Sequence, residues 1–377
     1  MTDAMPLIRA LRDPASVATL DAAGWTALIA TARAEQIVGT LAHRVAGLDL
    51  PEPVARLMAD ARASAAQQQV AALWEAEMAR RALAGICPVI LLKGTAYAAA
   101  GLSAGIGRSI GDLDILVPRD RLDAAEAALL AAGWEWVKPD PYDDDYYRRW
   151  MHELPPLIHQ ERDRMIDVHH TILPLTARVT PDAAAMVSDA VPIRFLPGTG
   201  RGTMRSMVEG QGTRSDASSS TPCPSTAFGG PPPRSGEELL VLNPADMLLH
   251  NVAHLFADGD LSGGLRNLWD FDRLVRDFAS DAFWPALAER AALHGLGHYL
   301  ARAMRLSQRL FDTPIEPTLA GPARITDGAY VARITARDGW GRGICKANRF
   351  AFYVRSHWIR MPPAMLARHL WTKWRKA

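Results

Sequence analysis

Only three cysteines, Cys87, Cys223 and Cys345, occur in 377 residues, and no two make a Cys-x-x-Cys pair. That excludes a disulfide framework and a cysteine zinc knuckle, and it fits a reducing compartment. Excess charge is missing too: 42 Lys and Arg face 41 Asp and Glu, for a net +1. Global charge therefore singles out no nucleic-acid or acidic partner. No apolar run approaches the ~20 residues of a membrane-spanning helix. The opening residues MTDAMPLIRALRDP lack a basic-then-apolar signal pattern. A cytoplasmic protein with no transmembrane segment is expected. Internal repeats are absent as well.

What remains is a globular composition, 49% hydrophobic and 22% charged, in a chain long enough for two domains or one domain with large additions. Residues 1–85 read as a helical segment, Ala-rich with apolar residues at three- and four-residue spacing. Residues 86–198 alternate strand and helix patterns: CPVILL, DLDILV and WEWV are strand-like, and RDRLDAAEAALLAAG is an amphipathic helix closed by Gly133. PDPYDDDYYRRW reads as an acidic loop. HELPPLIHQ, ERDR and MIDVHH read as a hairpin, with Pro155-Pro156 placing an edge strand or bulge in its first arm. Residues 199–238 are rich in Gly, Pro, Ser and Thr and are expected to be disordered. Helical patterns resume over 239–344. The tail, 345–377, carries eight Lys or Arg, no acid, and interleaved aromatics including Trp358, Trp371 and Trp374. It fits a solvated capping helix, or a segment for an anionic partner such as nucleic acid, an acidic protein or a membrane surface.

The chemistry concentrates in GRSIGDLDILVPRD. In a strand Asp112 and Asp114 share one face while Leu113 and Ile115 take the other. Two close carboxylates resist ionising together, so a positive group belongs between them. Upstream, a strand-like run ends in Lys93-Gly94-Thr95; just before the pair stand Arg108 and Ser109; downstream, Asp167 lies flanked by Ile166 and Val168. Magnesium takes oxygen ligands and favours carboxylates together with substrate phosphates. A Gly turn opening a helix brings backbone N–H groups close to phosphate oxygens. Lys93 adds a point charge and Arg108 a guanidinium for phosphate.

The order of a glycine turn, an hDhDh strand and a later hDh strand resembles the DNA polymerase β-like nucleotidyltransferase superfamily. More closely, LLKGTAY, Arg108-Ser109, GDLDILV, IDVHH, LNPADMLLHNVAH and LRNLWDFDRLV resemble a family of uncharacterised bacterial nucleotidyltransferases. Lys93-Gly94 stands where the wider superfamily has Gly-Gly or Gly-Ser. The resemblance implies an α/β fold: a nucleotidyltransferase-fold mixed sheet with flanking helices as the catalytic core over 86–198, plus the N-terminal helical segment and a C-terminal helical domain. It implies transfer of a nucleoside monophosphate, AMP from ATP or its equivalent from another NTP, with pyrophosphate leaving. Asp112, Asp114 and Asp167 would hold two Mg²⁺ ions, with Asp167 also a general-base candidate. Lys93, Gly94, Thr95, Arg108 and Ser109 would bind the triphosphate. The acceptor is a small hydroxylated metabolite, a peptide or a protein side chain. By analogy with relatives in peptide natural-product and exopolysaccharide gene clusters, the role is tailoring. Two other readings compete: a non-catalytic nucleotide- or peptide-binding protein of this fold, and a γ-phosphotransferase.

Three histidines are further candidates for substrate contact. His169 shares a strand face with Asp167 and is a substrate contact, an orienter of Asp167 or a packed core histidine. His250 and His254, in HNVAH, lie one helical turn apart. They are cleft-facing residues near the acceptor or, with Asp258, Asp260 or Asp270, half of a zinc site. The glutamate of HExxH is missing, which excludes that metalloprotease motif. Leu265, Leu268, Trp269, Phe271 and Leu274 read as core.

Overall fold

Alternation along GDLDILV yields the expected strand. The computed structural model describes residues 4–193, residues 238–360 and Trp371. Seven short strands occur in it: β1 (Ile90–Leu91), β2 (Asp112–Leu116), β3 (Trp134–Trp136), β4 (Leu157–His159), β5 (Met165–His169), β6 (Val191–Pro192) and β7 (Leu240–Val241). They form one sheet in the order β3-β4-β5-β2-β1-β7-β6. The sheet is mixed: β2 runs parallel to β5 and β1 parallel to β7, and the other neighbours are antiparallel. Helices flank it at both ends of the chain, so the fold is the α/β architecture expected.

The β2–β5 pair fixes the rest. Its register sets Leu113 opposite Ile166, Asp114 opposite Asp167 and Ile115 opposite Val168. The four apolar side chains are at most 1% exposed, each stabilising the fold by ~1.5–3 kcal/mol through burial. A one-residue slip would exchange that set for the acids, so the core itself enforces the register that brings Asp114 and Asp167 together.

The N-terminal helices hold the loop that leads into β2. Gln68 of the helix Glu52–Ala82 accepts from Ser109 Oγ at 2.6 Å and from the Ile110 N–H at 3.3 Å. Thr40 donates to the Ile106 carbonyl at 3.1 Å. Gly39 and Gly107 meet backbone to backbone, and a Cβ on either would collide with the other's main chain. Gly107 also has φ +66°, a conformation only glycine adopts freely.

Two local expectations are corrected. The acidic stretch expected as a loop is a helix, Pro141–Trp150. Its leading proline suits a first helical position, and Asp144–Arg148 and Asp145–Arg149 pair one turn apart at 2.8 and 2.6 Å. The strand after Pro155-Pro156 is no edge: β4 lies between β3 and β5, and the prolines precede its ladder. The disordered segment expected over 199–238 falls, apart from Glu238, outside the described residues. Of the basic tail, the helix Lys346–Arg360 is described. It seats Phe352 against Tyr330 and leaves Phe350, Tyr353 and Trp358 exposed. Among the described residues, no helix is long and apolar enough to cross a membrane.

The helix Pro244–Ala253 carries one wall of the site and is anchored by a buried charge. Asn243 caps it by accepting from the Asp246 N–H at 3.0 Å, and its amide donates back to Asp246 Oδ2 at 2.9 Å. Asp246, fully buried, also accepts from Arg290 Nε at 2.8 Å and from His294 Nε2 at 3.0 Å. His294 Nδ1 accepts from the Asp182 N–H at 3.1 Å, which leaves the ring proton on Nε2. Burial resists the Asp246 charge, but the His294 and Arg290 bonds prevail and hold its carboxyl below the usual range. Asp246→Ala should therefore cost about 3 kcal/mol in denaturant unfolding at pH 7, since it strands the buried His294 and takes from half-buried Arg290 the inner of its two carboxylate partners. A group with a depressed folded pKa contributes fully above its unfolded value and loses that contribution as pH falls below ~4. The gap between wild type and variant should narrow in acid; a constant gap would contradict this assignment.

Candidate active site

Asp112 and Asp114 leave β2 on one face, and Asp167 leaves β5 beside Asp114. One carboxylate oxygen from each lies within 4.8 Å of the others. Asp112 is exposed, Asp114 is buried at 3%, and Asp167 is intermediate, with Oδ1 buried and lacking a hydrogen-bond partner. A buried carboxylate oxygen with no donor, in a set of three hard oxygen donors, fits a divalent cation.

The positive group that the paired acids require is Lys93. Its Nζ donates to Asp114 Oδ1 at 2.5 Å. Lys93 opens the helix Lys93–Ala99 directly after β1 and takes φ +47°, which turns the chain sharply toward Asp114. His169 Nε2 lies 3.0 Å from the same oxygen. Burial opposes charge on Asp114, but Lys93 and His169 outweigh it and hold the carboxyl far below the usual range. Asp167 goes the other way. Burial, then Asp114 and Glu153, push it up to about 7. His169 thus binds Asp114 rather than orienting Asp167.

A cavity of about 640 Å³ opens beside the acids. Asp112 and Asp114 line it, with Lys93, Gly94, Arg108, Ser109, His250 and His254; Asp167 and the buried Thr95 do not. Arg108 is buried, ion-paired to Asp270 and stacked 5.4 Å from the Tyr97 ring centre. Its side chain crosses Gly94 so closely that any Cβ there would strike it. His250 and His254 are held neutral by burial and by the Lys93 charge, His254 down to about 3. Neither belongs to a metal-capable group among the described residues.

Sequence reasoning missed several wall residues. Arg266, Asn251 and Asn267 line the cavity, and Asp270, foreseen only as a zinc partner, joins them. The helix Gly264–Phe278 buries Leu265, Leu268, Phe271 and Leu274 as expected. Arg266, Asn267 and Asp270 occupy the adjoining face, and their i, i+4 spacing beside the core stripe was the available signal. Arg266 NH1 donates to Gln36 at 2.5 Å, and its buried Nε has no partner. Burial and the neighbouring Arg108 cation pull its pKa down to about 10. Two neighbouring guanidinium groups thus share the cavity lining with Asp112, Asp114 and Asp270.

Asp167 makes a pH prediction with a definite sign. Its folded pKa is raised, so its stabilising effect is full below pH ~4 and is lost as pH rises through about 7. In metal-free protein, the Asp167→Asn variant should gain melting temperature relative to wild type from pH 5 to pH 8. A difference that does not change with pH would contradict the crowding of Asp114 and Asp167.

No curated protein matches the chain. The profile of a family described as uncharacterised nucleotidyltransferase matches residues 21–203 and 226–312. That span covers every strand, all three aspartates and the helices lining the cavity, so the chain belongs to this family of uncharacterised nucleotidyltransferases.

Proposed function

We propose that the protein is a Mg²⁺-dependent enzyme that transfers AMP from ATP to a hydroxyl acceptor. The observation that carries this is the convergence of Asp112, Asp114 and Asp167, the first two lining a cavity that Lys93, Arg108 and Arg266 also line. Nucleotidyltransferases generally use an NTP and a divalent metal. Asp112, Asp114 and Asp167 would hold it; when bound, Mg²⁺ neutralises charge building on the attacking and leaving oxygens.

The chain's own groups supply the rest. Arg266 and Arg108 face an anion that relieves their mutual repulsion, and a triphosphate has the charge to do so. Lys93 exchanges its Asp114 bond for a phosphate oxygen, so the cation that balances the resting site becomes part of substrate binding. Asp167 is the base candidate: it accepts the proton of the acceptor hydroxyl while the acceptor oxygen attacks the α-phosphorus and pyrophosphate leaves. Neutral His250 and His254 offer the acceptor hydrogen-bonding partners without adding charge. The acceptor is a hydroxylated small molecule, peptide or protein side chain, consistent with a tailoring reaction.

The test uses cell extract, Mg²⁺ and ATP labelled at either the α- or the γ-phosphate. Label should enter product from α-labelled ATP alone, with pyrophosphate release. Asp112→Ala and Asp114→Ala should each lower the rate at least ~10²–10³-fold with folding intact. Transfer of γ-label would establish a phosphotransferase instead. Nucleotide binding with no transfer in any extract would favour a binding protein.

A further inference from the structure

A second cluster of donors stands behind the carboxylate triad, and nothing in the proposed transfer uses it. Residues 152–154 run beside the end of β5. The His170 N–H donates to the His152 carbonyl at 2.9 Å, the Leu154 N–H donates to Val168 at 2.9 Å, and Glu153 bridges to His169. This lays the His152 and Glu153 side chains against His169. His152 and His169 are 8% and 1% exposed, with ring centres 5.2 Å apart. His169 Nδ1 lies 3.4 Å from Glu153 Oε2, and His152 Nε2 lies 3.7 Å from the same oxygen.

The orientation of His169 sharpens this. Its Nε2 faces Asp114 at 3.0 Å and its Nδ1 faces Glu153 Oε2. The buried Nδ1 atoms of both His152 and His169 have no hydrogen-bond partner. Zinc bonds of ~2.0–2.1 Å at the tetrahedral angle place donor atoms ~3.3–3.4 Å apart. The two spacings to Glu153 lie close to that edge, and all three donors fall within 4.8 Å of one another.

We propose that His152, Glu153 and His169 form a site for a zinc-class divalent cation, separate from the triad. Two imidazoles and one carboxylate suit Zn²⁺ or Co²⁺, whereas Mg²⁺ prefers oxygen donors. Asp114 takes the part of the outer carboxylate that orients a metal-bound histidine through its second nitrogen. The ion therefore ties the 152–154 segment to β5 and fixes the His169 bond that holds Asp114. The site stands on its own geometry and does not depend on the nucleotidyl-transfer reading.

The experiment titrates chelator-treated full-length protein with Co²⁺, reading its visible absorption, and then competes with Zn²⁺ and with Mg²⁺. Wild type should give the spectrum of a low-coordinate nitrogen–oxygen site, erased by Zn²⁺ and not by Mg²⁺. His152→Ala and Glu153→Gln should each weaken Co²⁺ binding at least ~10–100-fold, whereas Asp112→Ala should retain the spectrum. Melting temperatures without metal check that the variants fold; should His152→Ala fail, Glu153→Gln decides. The proposal is overturned by a wild type without such a spectrum, by a spectrum unchanged in Glu153→Gln, or by one lost in Asp112→Ala. The first outcome would leave His169 as an imidazolium between two carboxylates.

Discussion

Repulsion among carboxylates on one sheet face governs this molecule. Packing of Leu113, Ile115, Ile166 and Val168 fixes the β2–β5 register, and that register leaves Asp114 and Asp167 side by side with Asp112 near. The core enforces what electrostatics resists. Lys93 and His169 hold Asp114 ionised, and Asp167 remains poised near neutrality with one oxygen unpartnered. Three carboxylate oxygens within 4.8 Å of one another, one of them buried without a donor, fit a divalent cation better than a polar strand end.

The surrounding elements serve that arrangement. The N-terminal helices hold the loop bearing Arg108 and Ser109 through Gln68, Thr40 and the Gly39–Gly107 contact. The helices Pro244–Ala253 and Gly264–Phe278 close the other wall, anchored by Asp246 and by the Arg108–Asp270 pair. The resulting cavity is lined by acids and by the cations Lys93, Arg108 and Arg266.

Much of this was legible in the sequence because strand periodicity is local. Alternation placed Asp112 and Asp114 on one face, and the hairpin arms of β4 and β5 followed from their turn. That Asp167 meets Asp114 is a long-range pairing, and it came from resemblance to a family motif, not from spacing. The helix Pro141–Trp150 was hidden by its acid-rich composition, since its stabilising pairs lie four residues apart in a stretch that looks like a loop. His152 and Glu153 escaped notice because the segment beyond that helix is irregular and reaches β5 only through tertiary contacts. Arg266 and Asn267 were obscured by the apolar stripe beside them.

The most direct measurement is anomalous scattering from Mn²⁺ in crystals grown with a non-hydrolysable ATP analogue. An Mn²⁺ peak should appear among Asp112, Asp114 and Asp167, with the Lys93 amine moved from Asp114 to a phosphate oxygen. Analogue bound in the cavity with no peak at those carboxylates, and Lys93 still on Asp114, would overturn the assignment of the three aspartates as the metal-holding group.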